Sequence, residues 1–132
     1  MNTKKIVIRC ITEPSKGFGH LSRCLVLAKA LRKNKNKIFF VINKNKKVLD
    51  LLNKEKFESV IIPTSYSYET EEVFLKKIIL EQKCVGIILD MREYGEKIAL
   101  KLKNNYFKIV SLDDAWIKNV HADVIINGTV AK

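Results

Sequence analysis

Short apolar runs alternate along this chain with stretches whose apolar residues recur at helical spacing. Ile6 to Cys10 predicts a buried strand. From Leu21 the apolar positions Leu21, Cys24, Leu25, Leu27, Ala28 and Leu31 form a helical stripe that ends in the polar segment Lys33 to Lys37. Residues 37–42, β-branched and aromatic, predict a second strand. Val48, Leu49, Leu51 and Leu52 mark a short helix, and Ser59 to Ile62, stopped by Pro63, a third strand. A hydroxyl-rich loop, Pro63 to Tyr68, leads to a helix over residues 69–82 with carboxylates in its first turn, where they suit the helix dipole. Residues 85–90 predict a fourth strand, 94–104 a helix, 106–112 a fifth strand and 122–128 a sixth that closes on Asn127-Gly128.

Strands that are apolar throughout are buried on both faces, and strands that alternate with helices pair in parallel. The expected fold is therefore α/β: a Rossmann-like, doubly wound parallel sheet of about six strands, helices on both faces, one domain over residues 1–132. In such sheets ligands bind outside the carboxyl ends of the strands, near a reversal of strand order. The residues expected on that rim are Arg9 to His20, Asn43, Tyr66 and Tyr68, Asp90 to Glu93, Asp113-Asp114 and Asn127.

Charge and composition narrow the partners. The formal net charge is +11, but its lysines lie scattered among asparagines and isoleucines, as on solvated faces, with no aromatic-interleaved basic patch and no nucleic-acid motif. Nucleic acid is not expected as a partner. The longest apolar runs are too short to span a membrane or to form a signal peptide, which points to a cytoplasmic chain. Cys10, Cys24 and Cys84 are odd in number and lack metal-type spacing, so reduced, partly buried thiols are expected, with no metal site and no cofactor.

Chemistry concentrates in Lys16-Gly17-Phe18-Gly19-His20-Leu21-Ser22-Arg23-Cys24-Leu25, between the first strand and the first helix. Gly17 and Gly19 allow a ligand to approach backbone without meeting a Cβ. His20 falls at the first turn of the helix, where free N–H groups and the dipole favour an anion. The segment is not the dinucleotide fingerprint, which needs a third glycine, nor a Walker loop, which needs a following Lys-Ser/Thr. A plain alternative is that His20 caps the helix and the glycines only shape the loop. His121 has no metal-ligand company. Asp113 and Asp114 could orient a base, contact a sugar hydroxyl or stay solvated, and Asp90 could do the same or be neutralised by Arg92. Tyr66 and Tyr68 could stack on a sugar but read better as ordinary loop residues, and Trp116 could equally pack or bind.

Ile8-Arg9, Gly17-Phe18-Gly19-His20 and Arg23-Cys24-Leu25-Val26-Leu27-Ala28 together resemble the amino-terminal domain of the pseudaminic-acid-pathway UDP-sugar hydrolases and the related spore-coat polysaccharide biosynthesis proteins. Their opening pattern is I-R-x-D, a short variable stretch, then I-G-x-G-H-x-x-R-C-L-x-L-A. The downstream Ser111-Leu112-Asp113-Asp114 and Asp123-Val124-Ile125-Ile126-Asn127 resemble that family's later F-D-D and D-x-x-x-N segments, so the similarity runs over essentially the whole chain. The resemblance implies one half of a GT-B architecture that releases UDP from an activated amino sugar. His20 would be the general base for water or acceptor attack, and Arg9, Gly17, Phe18, Gly19, Asp90, Asp113 and Asn127 would contact substrate.

Two departures from the pattern qualify what is expected. Ile11 stands where the family has aspartate, with Glu13 close by. The nucleotide-holding half of a GT-B enzyme would follow Lys132, so a carboxyl-terminal domain or a separate subunit is the expected partner. The rival expectation is a non-catalytic sugar- or partner-binding Rossmann-like module.

Overall fold

A computed structural model of the chain describes residues 3–12, 19–63, 68–90, 95–103, 106–113 and 123–127. For Gly19, His20, Tyr68, Glu69, residues 95–97, Asp113, Ile125 and Asn127 it describes the backbone alone. In chain order the elements are β1 (Lys5–Cys10), α1 (Gly19–Lys33), β2 (Lys37–Ile42), α2 (Lys46–Lys54), β3 (Glu58–Ile61), α3 (Tyr68–Gln82), β4 (Gly86–Asp90), α4 (Gly95–Leu102), β5 (Lys108–Asp113) and β6 (Val124–Asn127). The six strands form one sheet in the order β3-β2-β1-β4-β5-β6, and every pairing is parallel. The chain winds outward from β1 to β3, returns to place β4 on the other side of β1, and winds outward again. The order thus reverses between β1 and β4.

The alternation of side chains along each strand sorts the core into two layers. Val7, Phe39, Val41, Ile87, Leu89 and Ile109 face α3 and α4, packing against Leu75, Ile79, Ile98 and Leu102. Ile8, Cys10, Phe40, Ile42, Ile88 and Leu112 face α1 and α2, packing against Leu21, Cys24, Ala28, Val48 and Leu52. Apart from Arg9 and Asp90, the buried positions of the central strands β1 and β4 are apolar, because each side of the sheet has its own helical layer. Each fully buried Ile, Leu or Phe contributes about 1.5–3 kcal/mol over its exposed state.

The helices end without glycine. Lys35, Lys56 and Lys83 each take left-handed backbone at φ 66°, 63° and 56°. Behind each, the next N–H reaches five residues back: Asn36 to Leu31, Phe57 to Leu52 and Cys84 to Ile79. These are Schellman closures of α1, α2 and α3, a place where glycine is usual because a Cβ is unfavourable there. At its start α2 is capped by Asn45, whose side chain accepts a hydrogen bond from the Val48 N–H.

Candidate functional site at the switch in strand order

The rim expected to bind ligand is formed by the carboxyl ends of β1 and β4, with α1 starting beside them. Gly19 and His20 open α1, so the backbone of His20 stands in its first turn, as the sequence predicts. Gly17 and Phe18 lie outside the described residues. Asp113 and Asn127 are register partners on β5 and β6, which places their backbones side by side on the same rim.

Asp90, the last residue of β4, is fully buried and faces α1. Arg23 grips it with two hydrogen bonds, from Nε to Oδ2 at 2.9 Å and from Nη2 to Oδ1 at 2.5 Å. The same guanidinium reaches the Leu112 carbonyl oxygen at 3.3 Å, so it ties α1 to both β4 and β5. Arg23 lies one turn past Gly19 and keeps 26% of its side-chain surface open. Arg23 is thus a described neutralising partner of Asp90; Arg92, which could also serve, lies outside the described residues.

Under this pair sit two thiols. The Cys24 Sγ donates to Asp90 Oδ2 at 3.3 Å, and the sulfur of Cys10, at the end of β1, is close by. The hydrogen bond with Cys10, reinforced by burial and by the Asp90 charge, pushes the Cys24 thiol well above its ordinary value of 9.0. The Cys24 thiol is therefore held protonated, and both sulfurs are buried. Among the described residues, Cys10, Cys24 and Asp90 are also a group of donor types able to ligate a metal, their ligand atoms all within 4.8 Å of one another.

Arg9 occupies a different position from the one the resemblance implies. Its side chain leaves β1 on the opposite face, toward α3, and is only 2% exposed. Nε donates to Glu71 Oε2 at 2.6 Å and Nη2 to Glu71 Oε1 at 3.3 Å, while Nη1 donates to the Cys10 carbonyl and to Asn43 Oδ1. An arginine so engaged holds the ends of β1 and β2 and the start of α3 together. Ile11, in the family's aspartate position, joins the apolar layer on that same face, with Ile62 and Leu75.

Thr12 and Asn43 complete the scaffold of the rim. Thr12 N–H donates to Asn43 Oδ1 at 3.1 Å, its hydroxyl bridges the Asn43 backbone carbonyl and N–H, and Asn45 Nδ2 donates to the Thr12 carbonyl. These four bonds fix the chain leaving β1 to the chain leaving β2 just before the glycine segment. Asn43 and Thr12 were expected on this rim from the sequence, but Glu71 was not legible as a site residue. Arg23 was, in the sense that it lies in the quoted motif, but its partner is 67 residues away. A cavity of about 420 Å³ lies at the opposite end of the sheet, lined by Arg32, Lys37, Lys56 and Phe57 among others, and is separate from this rim.

No family model matches the chain, and no curated protein matches it in sequence. Solved structures do match. MurG of Acinetobacter baumannii superposes with a TM-score of 0.65 at 10% identity, covering 85% of this chain. The chain spans 35% of the MurG chain, about a third of its length. The NAD(P)-binding domain of an exopolyphosphatase-related protein from Archaeoglobus fulgidus superposes with a TM-score of 0.55 at 19% identity, covering 92% of this chain and 86% of that one. At these identities the likeness establishes the fold alone: a Rossmann-like α/β domain.

Proposed function

We propose that this chain is the amino-terminal Rossmann-like domain of a GT-B-type enzyme that acts on an activated amino sugar and releases UDP. The observation that carries the reading is the start of α1 at Gly19-His20, beside the reversal of strand order between β1 and β4. A phosphate at that helix end would meet free N–H groups and the positive end of the dipole. Histidine in its neutral form, with an ordinary pKa of about 6.5, can take a proton from attacking water or from an acceptor hydroxyl. In this reading His20 is the general base, Gly17, Phe18 and Gly19 line the approach, and Asp113 and Asn127 contact the sugar. Arg9 and Asp90 serve as positioning residues, each fixing an end of the rim. The fold shared with MurG, a glycosyltransferase, supports the reaction class. The nucleotide would be held by a carboxyl-terminal domain or a separate subunit.

A second reading, a non-catalytic sugar- or partner-binding module, is favoured by Ile11, which offers an apolar side chain where the family offers a carboxylate. The two part on one experiment. With a nucleotide-binding second half supplied, UDP release from a UDP-amino sugar is followed in the parent chain and in His20→Ala. The enzyme reading expects a loss of about 10²–10⁴-fold, the usual contribution of a positioned base. Sugar binding without turnover, unchanged in His20→Ala, would leave the binding module.

A further inference from the structure

Three donors from three separate elements converge beneath the switch point: the thiol of Cys10 from β1, the thiol of Cys24 from α1 and the carboxylate of Asp90 from β4. We propose that Cys10, Cys24 and Asp90 form a binding site for a divalent d¹⁰ cation of the zinc type at the base of the rim. The inference is independent of the sugar chemistry and can hold or fail without it.

The geometry is close to that of a ligand set. In a tetrahedral zinc site with metal–sulfur bonds near 2.3 Å and metal–oxygen bonds near 2.0 Å, neighbouring donor atoms lie about 3.5–3.8 Å apart. Here the donor atoms all fall within 4.8 Å of one another, with Cys24 Sγ already 3.3 Å from Asp90 Oδ2. Closing the widest of these gaps takes a relative shift of about an ångström. The donor types suit a soft-to-borderline cation: two thiolates with one carboxylate disfavour magnesium and calcium, which take oxygen.

Charge closes as well. Binding displaces the two thiol protons to solvent, so the site becomes two thiolates, one carboxylate and a divalent cation, for a net charge of minus one. Arg23, already bound to both oxygens of Asp90, brings the group to neutrality. It is also the kind of outer partner that orients a ligating carboxylate. A buried group that is neutral as a whole avoids the cost of an isolated interior charge. Three protein donors leave one tetrahedral position for water. The spacing of Cys10 and Cys24 along the chain could not reveal this group, because the third donor arrives from β4.

The test uses cobalt(II) as a spectroscopic probe on the 132-residue chain kept reduced with a phosphine, both added to folded protein and present during refolding, since the donors are buried. The expected result is one cobalt per chain with thiolate-to-cobalt absorption in the near ultraviolet, displaced by one equivalent of zinc. Cys10→Ser and Cys24→Ser should each weaken binding at least tenfold, Asp90→Asn should weaken it too, and Cys84→Ser should leave it unchanged. Far-ultraviolet circular dichroism identifies any variant that fails to fold; for such a variant, zinc-dependent elevation of Tm in the parent and in Cys84→Ser gives the same reading. No thiolate–cobalt band by either loading route, or a band that survives loss of both Cys10 and Cys24, would overturn the proposal.

Discussion

Two arginine–carboxylate pairs flank the end of β1, one on each face of the sheet, and they differ in what can reach them. Arg9–Glu71, between the sheet and α3, is sealed, with side-chain exposures of 2% and 9%. Arg23–Asp90, between the sheet and α1, is half open: the carboxylate is fully buried but the guanidinium keeps 26% of its surface. A sealed pair can only hold elements in register. A pair whose cation remains partly wet, next to a helix start and a reversal of strand order, holds elements together while part of its charge still meets solvent. The α3 side of the rim is thus anchored by a sealed pair, and the α1 side by one that is open to solvent at its cation.

The largest expected effect comes from breaking the sealed pair. Glu71→Ala leaves the Arg9 guanidinium buried without its counter-charge, and such losses cost about 3–5 kcal/mol. Urea unfolding of the chain should show a loss of that size, and replacing Arg9 by Met in the same background should recover part of it by removing the stranded charge. The half-open pair should respond unequally from its two ends. Arg23→Ala strands a fully buried carboxylate and should cost about 2–3 kcal/mol, whereas Asp90→Asn lets the guanidinium turn to water and should cost about 1 kcal/mol. Equal losses from the two ends would remove the distinction between the pairs.

The sheet was legible because its signal is local. Phe39 to Ile42 and Ile87 to Leu89 are apolar without interruption, and only a strand covered on both faces asks for that. Two helix ends were legible even without glycine: α1 stops at the polar segment from Lys33 and α3 at Gln82, as expected, although Lys35, Lys56 and Lys83 sit where glycine would have announced the stop. The placement of His20 at the start of α1 also followed from local pattern. What the sequence concealed is pairing at a distance. Arg9 carries a family motif and so reads as a substrate contact, while Glu71 lies 62 residues on and nothing in its own neighbourhood marks it as the partner. Cys10 and Asp90 become neighbours only because β4 docks against β1, a consequence of strand order rather than of spacing.

The smallest expected effect calibrates the other two. Lys46 and Asp50 form an i,i+4 pair on α2 with a separation of 3.1 Å, but their side chains are 88% and 62% exposed. Distance alone would rank this pair close to the half-open one. Exposure ranks it far below, because water solvates both charges before and after the contact and two long side chains lose freedom in making it. The order is also the weaker one for a helix, with the cation toward the N-terminus. Asp50→Asn should therefore change stability by no more than about 0.5 kcal/mol, and that change should fade with added salt as the Debye length shortens. A loss above 1 kcal/mol at physiological salt would mean that burial is not what grades the three pairs, and the assignment of anchoring to Arg9–Glu71 would lose its physical basis.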